Sequence, residues 1–201
     1  FPTNHVTAGD RICAGTYLAA AAASGGEIEI TGVEPVVLVE PLKALRKMGA
    51  GLRIFGAAGP KARIRMVMER RPAGITIDTG PYPGFPTDLQ SVFLAAEASG
   101  TGESQIRETV YEARFEAAVR LASFGADVSV HGDTAIRKGR YPLLPGVVET
   151  PDLRGGAALL VAALSADGLS VVSDRGHLKR GYEDIGRDLR ILGADIEENI
   201  L

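Results

Sequence analysis

The sequence has little of several things, and each shortage excludes something. A single cysteine, Cys13, rules out an internal disulfide and leaves no basis for a cysteine-built metal cluster, as fits a reducing cytoplasm. No apolar run approaches the roughly 20 residues a membrane-spanning helix needs, the most apolar being Tyr17 to Ala23. No charged segment followed by an apolar one opens the chain, so nothing reads as a signal peptide. There is no excess of positive charge either: the formal net charge is -3, which argues against a general nucleic-acid binder. Any anion held here must be met by locally placed arginines. An initiator methionine is also missing, and the opening Phe1-Pro2-Thr3 is what a piece of a longer polypeptide would show.

What is present is ordinary globular material, 201 residues with 45% hydrophobic and 23% charged, enough for one sizeable core or two small ones. The most individual stretch is Pro81-Tyr82-Pro83-Gly84-Phe85-Pro86-Thr87-Asp88-Leu89-Gln90. Its prolines and glycine predict a constrained extended turn, and Thr87-Asp88 then opens an apolar helical run. A carboxylate is thereby fixed at a helix entrance. Two uses of Asp88 stand side by side: an N-cap or first-turn acid, and a general base or hydroxyl ligand on a rigid stalk.

Internal repetition organises the rest. Gly-Ala follows an amphipathic helix three times, at Gly49-Ala50, Gly125-Ala126 and Gly193-Ala194; Gly49 to Gly125 is 76 residues and Gly125 to Gly193 is 68. Such periods are long for a solenoid and suit three copies of a split α/β unit around one core. The spacing predicts helices from Asp10 to Ser24, Glu40 to Met48, Leu89 to Ala98, Glu112 to Phe124, Pro151 to about Ala166, and Gly181 to Leu192. It predicts strands at Glu27–Ile30, Leu52–Phe55, Ile64–Met68, Ile75–Asp78, Glu103–Val110, Ala126–His131, Leu169–Ser173 and Ala194–Glu197. Approximate threefold symmetry would bring Asp10, Asp88 and Asp152 to one end, with three helix N-termini facing a common, anion-favouring space.

Five motifs in order, DRICAGTYLAAAA, PYPGFPTDLQ, GTGESQIRETVYEARF, PDLRGGAALLVAAL and RGYEDI…LRILGADI, resemble the bacterial UDP-N-acetylglucosamine 1-carboxyvinyltransferases, enolpyruvyl transferases that begin peptidoglycan synthesis. The resemblance covers essentially the whole chain and matches only the C-terminal-side domain of such an enzyme. It implies an α/β fold, an inside-out barrel of three βαβαββ units. The whole chain, 1–201, would be one domain, with repeats at about 10–80, 81–146 and 147–201. A second domain, carrying the reactive cysteine loop and most nucleotide contacts, would complete the cleft. A lysine from the enzyme's N-terminal segment would join it. The implied substrates are UDP-N-acetylglucosamine and phosphoenolpyruvate, without a metal or organic cofactor, nucleic acid or membrane. The related enolpyruvyl shikimate phosphate synthases and a non-catalytic half-domain that binds an anion or a partner are the alternatives.

Residue by residue, the resemblance makes Asp88 the group that holds the sugar and takes the proton of its 3-hydroxyl. Val110 would contact the nucleotide sugar through its backbone, and Asp152 would line the cleft. Arg114, Arg154 and Arg180 would hold phosphoenolpyruvate and the leaving phosphate, since the guanidinium fork matches two oxygens and stays charged. Read without the resemblance, Arg114 at a helix start is either a ligand residue or the partner of Glu112 or another acid, and Arg154 is either a ligand residue or half of a helix-cap pair. Ala113 and Lys179 depart from the residues usual at those places. His5, His177 and His131 read as structural or exposed, and Cys13 as a buried, inert thiol.

Overall fold

The structure, a computed structural model, describes residues 7–56, 59, 62–112 and 114–198; His5 and Ala113 lie outside them. In chain order the first elements are α1 (Arg11–Ser24), β1 (Gly26–Thr31), α2 (Val39–Met48), β2 (Gly51–Phe55) and β3 (Arg63–Met68). Next come β4 (Thr76–Asp78), α3 (Gln90–Ala96), β5 (Glu103–Arg107), α4 (Glu116–Arg120), β6 (Asp127–His131) and β7 (Thr134–Lys138). The last are β8 (Val147–Glu149), α5 (Leu153–Leu164), β9 (Val171–Ser173) and α6 (Ile185–Ile191).

The apolar residues of α1, α3 and α5 run around the helix and not along one stripe, which is the pattern of a helix enclosed on all sides. All seven residues of α3 are buried, as are most of α1 and α5, and the three pack against one another. The sheets lie outside this bundle. In β3 the alternation is plain: Ile64, Met66 and Met68 point inward, while Arg63 and Arg65 face out. The result is a barrel with helices inside and strands outside.

Three sheets surround the bundle, in the orders β1-β3-β2, β4-β5-β7-β6 and β8-β9. β4 pairs in parallel with β5, and β8 with β9; every other pairing is antiparallel. β4-α3-β5-α4-β6-β7 is thus one continuous βαβαββ run. The three Gly-Ala steps close in the same way: Gly49, Gly125 and Gly193 have φ of 107°, 71° and 100°, where a side chain would be strained. The following Ala50, Ala126 and Ala194 donate to Leu45, Leu121 and Leu189 carbonyls, so one helix cap recurs three times.

Several sequence expectations are corrected. The strand expected over Glu103–Val110 stops at Arg107, and the helix expected from Glu112 starts only at Glu116. Arg114 is therefore in a connecting turn, not in a helix's first turn. The Glu108 carboxylate accepts from Val110 N and Tyr111 N and holds the chain out of a helix. The helix expected from Gly181 starts at Ile185, because Asp184 caps it through Arg187 N. Ala194–Glu197 is not a strand, and no described strand lies alongside to pair with it. β7 and β8 were not anticipated. Among the described residues no helix is long and apolar enough to cross a membrane.

Candidate functional site

The turn before α3 is pinned from beneath. Phe85 is buried and packs edge-on against Phe93 with ring centroids 5.0 Å apart, while Gly84 N donates to Pro81 O and Gly80 N to Phe85 O. The chain then makes a 3-10 turn, Thr87–Leu89, so Asp88 precedes α3 and makes no side-chain cap bond to it. Its two carboxylate oxygens go elsewhere. Oδ1 accepts from Arg114 Nη1 at 2.8 Å, and Oδ2 accepts from Arg154 Nη2 at 3.1 Å and Nε at 3.3 Å.

Asp88 thus bridges two arginines brought from a loop 26 residues on and a helix 66 residues on. Partial burial alone would raise the Asp88 pKa; the guanidinia of Arg114 and Arg154 outweigh it and hold the carboxyl below its usual range. Both arginines are more enclosed than their partner, with side-chain exposures of 21% and 12% against 37%. Arg154 Nη1 is buried and finds no acceptor among the described residues. A Cβ on Gly181 would lie 3.2 Å from that nitrogen, so the absence of a side chain there leaves the guanidinium its room.

The other expected residues fall unevenly around this centre. Asp10 and Asp152 are true N-caps: Asp10 Oδ1 accepts from Ile12 N and Cys13 N, and Asp152 Oδ1 from Arg154 N and Gly155 N. Asp152 therefore orients the first turn of α5 and the base of Arg154. Val110 has its N–H taken by Glu108. Arg180 ends the 3-10 turn Leu178–Arg180 beside Gly181; it is exposed and makes no ion pair among the described residues. Cys13 donates to Asp10 Oδ2 and Gly181 O, and burial followed by the Asp10 charge pushes its thiol up to about 12. His131 ends β6 in solvent, and His177 N donates to Asp174.

Two carboxylates missed in the sequence organise the loops that carry these groups. Glu108, 4% exposed, accepts from Thr79 Oγ1 at 2.6 Å, Thr87 Oγ1 at 2.7 Å, Val110 N at 2.8 Å and Tyr111 N at 3.0 Å. Thr87 Oγ1 in turn accepts from Arg114 Nη1 at 3.2 Å. Asp174 repeats the arrangement after β9, accepting from Thr150 Oγ1 and from the amides of Gly176, His177 and Leu178, ahead of Arg180. In both places a Thr just past one parallel strand meets an acid just past its neighbour. The steps Asp78-Thr79 and Glu149-Thr150, each before an internal helix, were the available signal.

Exposed aromatic rings rim the same end. Arg11 lies over Tyr82 at 5.2 Å, Arg114 over Tyr111 at 5.3 Å, and the buried Tyr182 takes Arg154 at 5.6 Å while its hydroxyl pairs with Thr16 Oγ1. The ensemble is a rigid carboxylate between two cations, with spare guanidinium donors at the carboxyl edges of the parallel strands. It can bind an anion in exchange for Asp88.

Comparison with known proteins identifies the family and the fold. Residues 2–189 match the family described as EPSP synthase (3-phosphoshikimate 1-carboxyvinyltransferase). The UDP-N-acetylglucosamine 1-carboxyvinyltransferase of Corynebacterium efficiens is 39% identical over 98% of this chain and 45% of its own length. That of Thermotoga maritima is 42% identical over 94% of this chain and 44% of its own. Among solved structures, the enolpyruvyl transferase NikO from Streptomyces tendae superposes with a TM-score of 0.78 at 29% identity, covering 92% of this chain and 43% of that one. An EPSP synthase from Acinetobacter baumannii gives 0.71 at 19% identity, over 92% and 46% of the two chains, a likeness of fold. The chain spans about half the length of the relatives it matches.

Proposed function

We propose, from the premise that this chain belongs to the EPSP synthase family of carboxyvinyltransferases, that it is one wall of an enolpyruvyl transferase active site. The reaction moves the enolpyruvyl group of phosphoenolpyruvate to the 3-hydroxyl of UDP-N-acetylglucosamine, releases phosphate and opens peptidoglycan synthesis in the cytoplasm. The sugar nucleotide is favoured over shikimate phosphate because relatives bearing that activity's name are 39% and 42% identical, against 19% for an EPSP synthase. In this reading residues 1–201 are one domain of three repeats, near 10–80, 81–146 and 147–201. A second domain with the reactive cysteine loop faces it.

The observation that carries the reading is Asp88 held between Arg114 and Arg154. Without substrate the carboxylate is doubly paired and a poor base. Phosphoenolpyruvate brings a carboxylate and a phosphate that compete for both arginines, and Arg154 Nη1, without an acceptor among the described residues, becomes a further donor once that guanidinium turns. As the arginines turn to the substrate, Asp88 loses its counter-charges and its proton affinity rises, so donor binding arms the base. Asp88 then takes the sugar hydroxyl's proton as that oxygen bonds to C2 of the donor and C3 gains a proton from an acid of the facing domain. The tetrahedral adduct then loses phosphate and gives a C3 proton back to that group, which restores the double bond. Arg180, next to the Arg154 contact at Gly181, supplies further positive charge to the departing phosphate, and the Val110 carbonyl and Asp152 line the sugar side.

The test is Asp88→Asn in the complete polypeptide, followed by phosphate release. A loss of about 10²–10⁴-fold in turnover is expected. Unchanged turnover sinks the base assignment, and release with shikimate 3-phosphate in place of the sugar nucleotide selects the shikimate reading.

A further inference from the structure

At the opposite end of the barrel from Asp88, a cavity of about 1010 Å³ opens between the C-terminus of α2, the start of β2 and the end of β3. Five charged residues line it: Arg53, Arg65, Arg70, Arg71 and Glu69. Four cations to one acid is a concentrated positive charge in a chain of net charge -3. None of these residues belongs to the site around Asp88.

The arginines are not equivalent. Arg71 is committed to the fold: its Nε donates to Ser99 O at 2.8 Å and Nη2 to Gly100 O at 2.9 Å, with the guanidinium 4.4 Å from the Tyr141 ring centre. Arg65 pairs with Glu27 on the neighbouring strand. Arg53 and Arg70 have no ion pair among the described residues. Arg53 also sits directly opposite Arg65 in the β2–β3 ladder. Like charges at opposed positions weaken a sheet, and nothing in the packing requires an arginine at 53, which is exposed. A local cost without structural return marks a functional position.

The floor of the cavity supports the same conclusion. Gly49 and Gly51 leave it open, and a Cβ at Gly49 would meet nothing within 4 Å. Three carbonyls at the end of α2 are occupied: Leu45 O and Arg46 O accept from Ala50 N and Gly49 N, and Met48 O from Ala73 N. Guanidinium donors therefore dominate the polar groups left facing the space. Forks arriving from adjacent strands and from the β3 end approach a guest from different sides, which suits a tetrahedral phosphate better than a planar carboxylate that one fork would satisfy. We propose that this cavity binds a small phosphate-bearing anion of two or more negative charges, held by Arg53 and Arg70 with Arg65 beside them. The site is remote from the proposed chemistry and does not depend on it.

Inorganic pyrophosphate, titrated calorimetrically at constant ionic strength into the complete protein, is the probe. Saturable binding is expected that weakens at least tenfold in Arg53→Gln/Arg70→Gln and persists in Arg114→Gln/Arg154→Gln. The single variant Arg53→Gln serves if the double one melts early. Three results would overturn the proposal: no saturable heat in the wild type, equal affinity in the Arg53 and Arg70 variants, or binding that disappears only when Arg114 and Arg154 are replaced.

Discussion

Three aspartates stand at the same end of three internal helices, and only Asp88 is free of its own helix. Asp10 and Asp152 each place one oxygen on two backbone amides, the ordinary work of a cap. That difference separates a group that shapes the site from one that can react in it, and spacing alone could not make it. Arg114 and Arg154 were legible as cations in unusual places, but their common partner, 26 and 66 residues away, was not. Glu108 was missed because the expected strand, Glu103–Val110, ran through it, whereas the strand ends at Arg107. In the fold it is buried, and burial alone would raise its pKa; the hydroxyls of Thr79 and Thr87 and the amides of Val110 and Tyr111 more than reverse this. With its folded pKa lowered, Glu108 adds stability above its unfolded value of about 4.3, and that stability is lost as pH falls through the folded value. Glu108→Gln points an amide N–H₂ at donors, so a loss of about 1–3 kcal/mol at neutral pH is expected, with a flatter acid limb. Urea midpoints followed from neutral to acid pH check both.

Among elements, the internal helices were legible from their long alanine-rich apolar runs, and most strands of the first two sheets from their apolar residues and the recurring glycine stops. Errors gathered where one side chain overrides the period. Glu108 and Asp184 each delay a helix, and in β7 the inward position 137 is an arginine, which hides the alternation that would have marked the strand. Between elements one of the tight approaches is at Gly74, where a Cβ would stand 2.1 Å from the Glu103 carbonyl oxygen. Backbone cannot yield as a side-chain tip can. Gly74→Ala is therefore expected to cost about 3 kcal/mol or more, by separating the chain before β4 from β5. Thermal melting beside the milder Gly26→Ala, where nothing lies within 4 Å, would show whether contact or mere loss of glycine is responsible.

Over the whole molecule, the buried polar groups that do not serve the site include Glu97 and Arg137, both fully enclosed and 3.7 Å apart. Arg137 is tied to Gly102 O and Ser104 Oγ, whereas neither Glu97 oxygen has a close hydrogen-bond partner. Burial dominates and raises the Glu97 pKa, and Ser104 and Arg137 recover only part of the shift. A raised folded pKa contributes stability that is complete below the unfolded value and is lost as pH rises through the folded one. Wild-type stability should therefore decline from about pH 4.3 toward neutrality by an increment that Glu97→Gln removes; chemical denaturation across that range measures it, and parallel curves would refute it.

The enclosure of α3 by helices, and of those helices by sheets, also fixes where water arrives last. In most sheet proteins strand amides are the slow ones to exchange with deuterium. Here the order should invert, with β2, β6 and β9 losing their protons first and the short, wholly buried α3 keeping its own until the entire barrel opens. Mass spectrometry of peptides spanning 90–96 and 127–131 would read it directly, and equal rates in the two would mean that the barrel opens as one piece. Seven residues of Gln90–Ala96 would then be the clock of the fold, the last to learn that the solvent has changed.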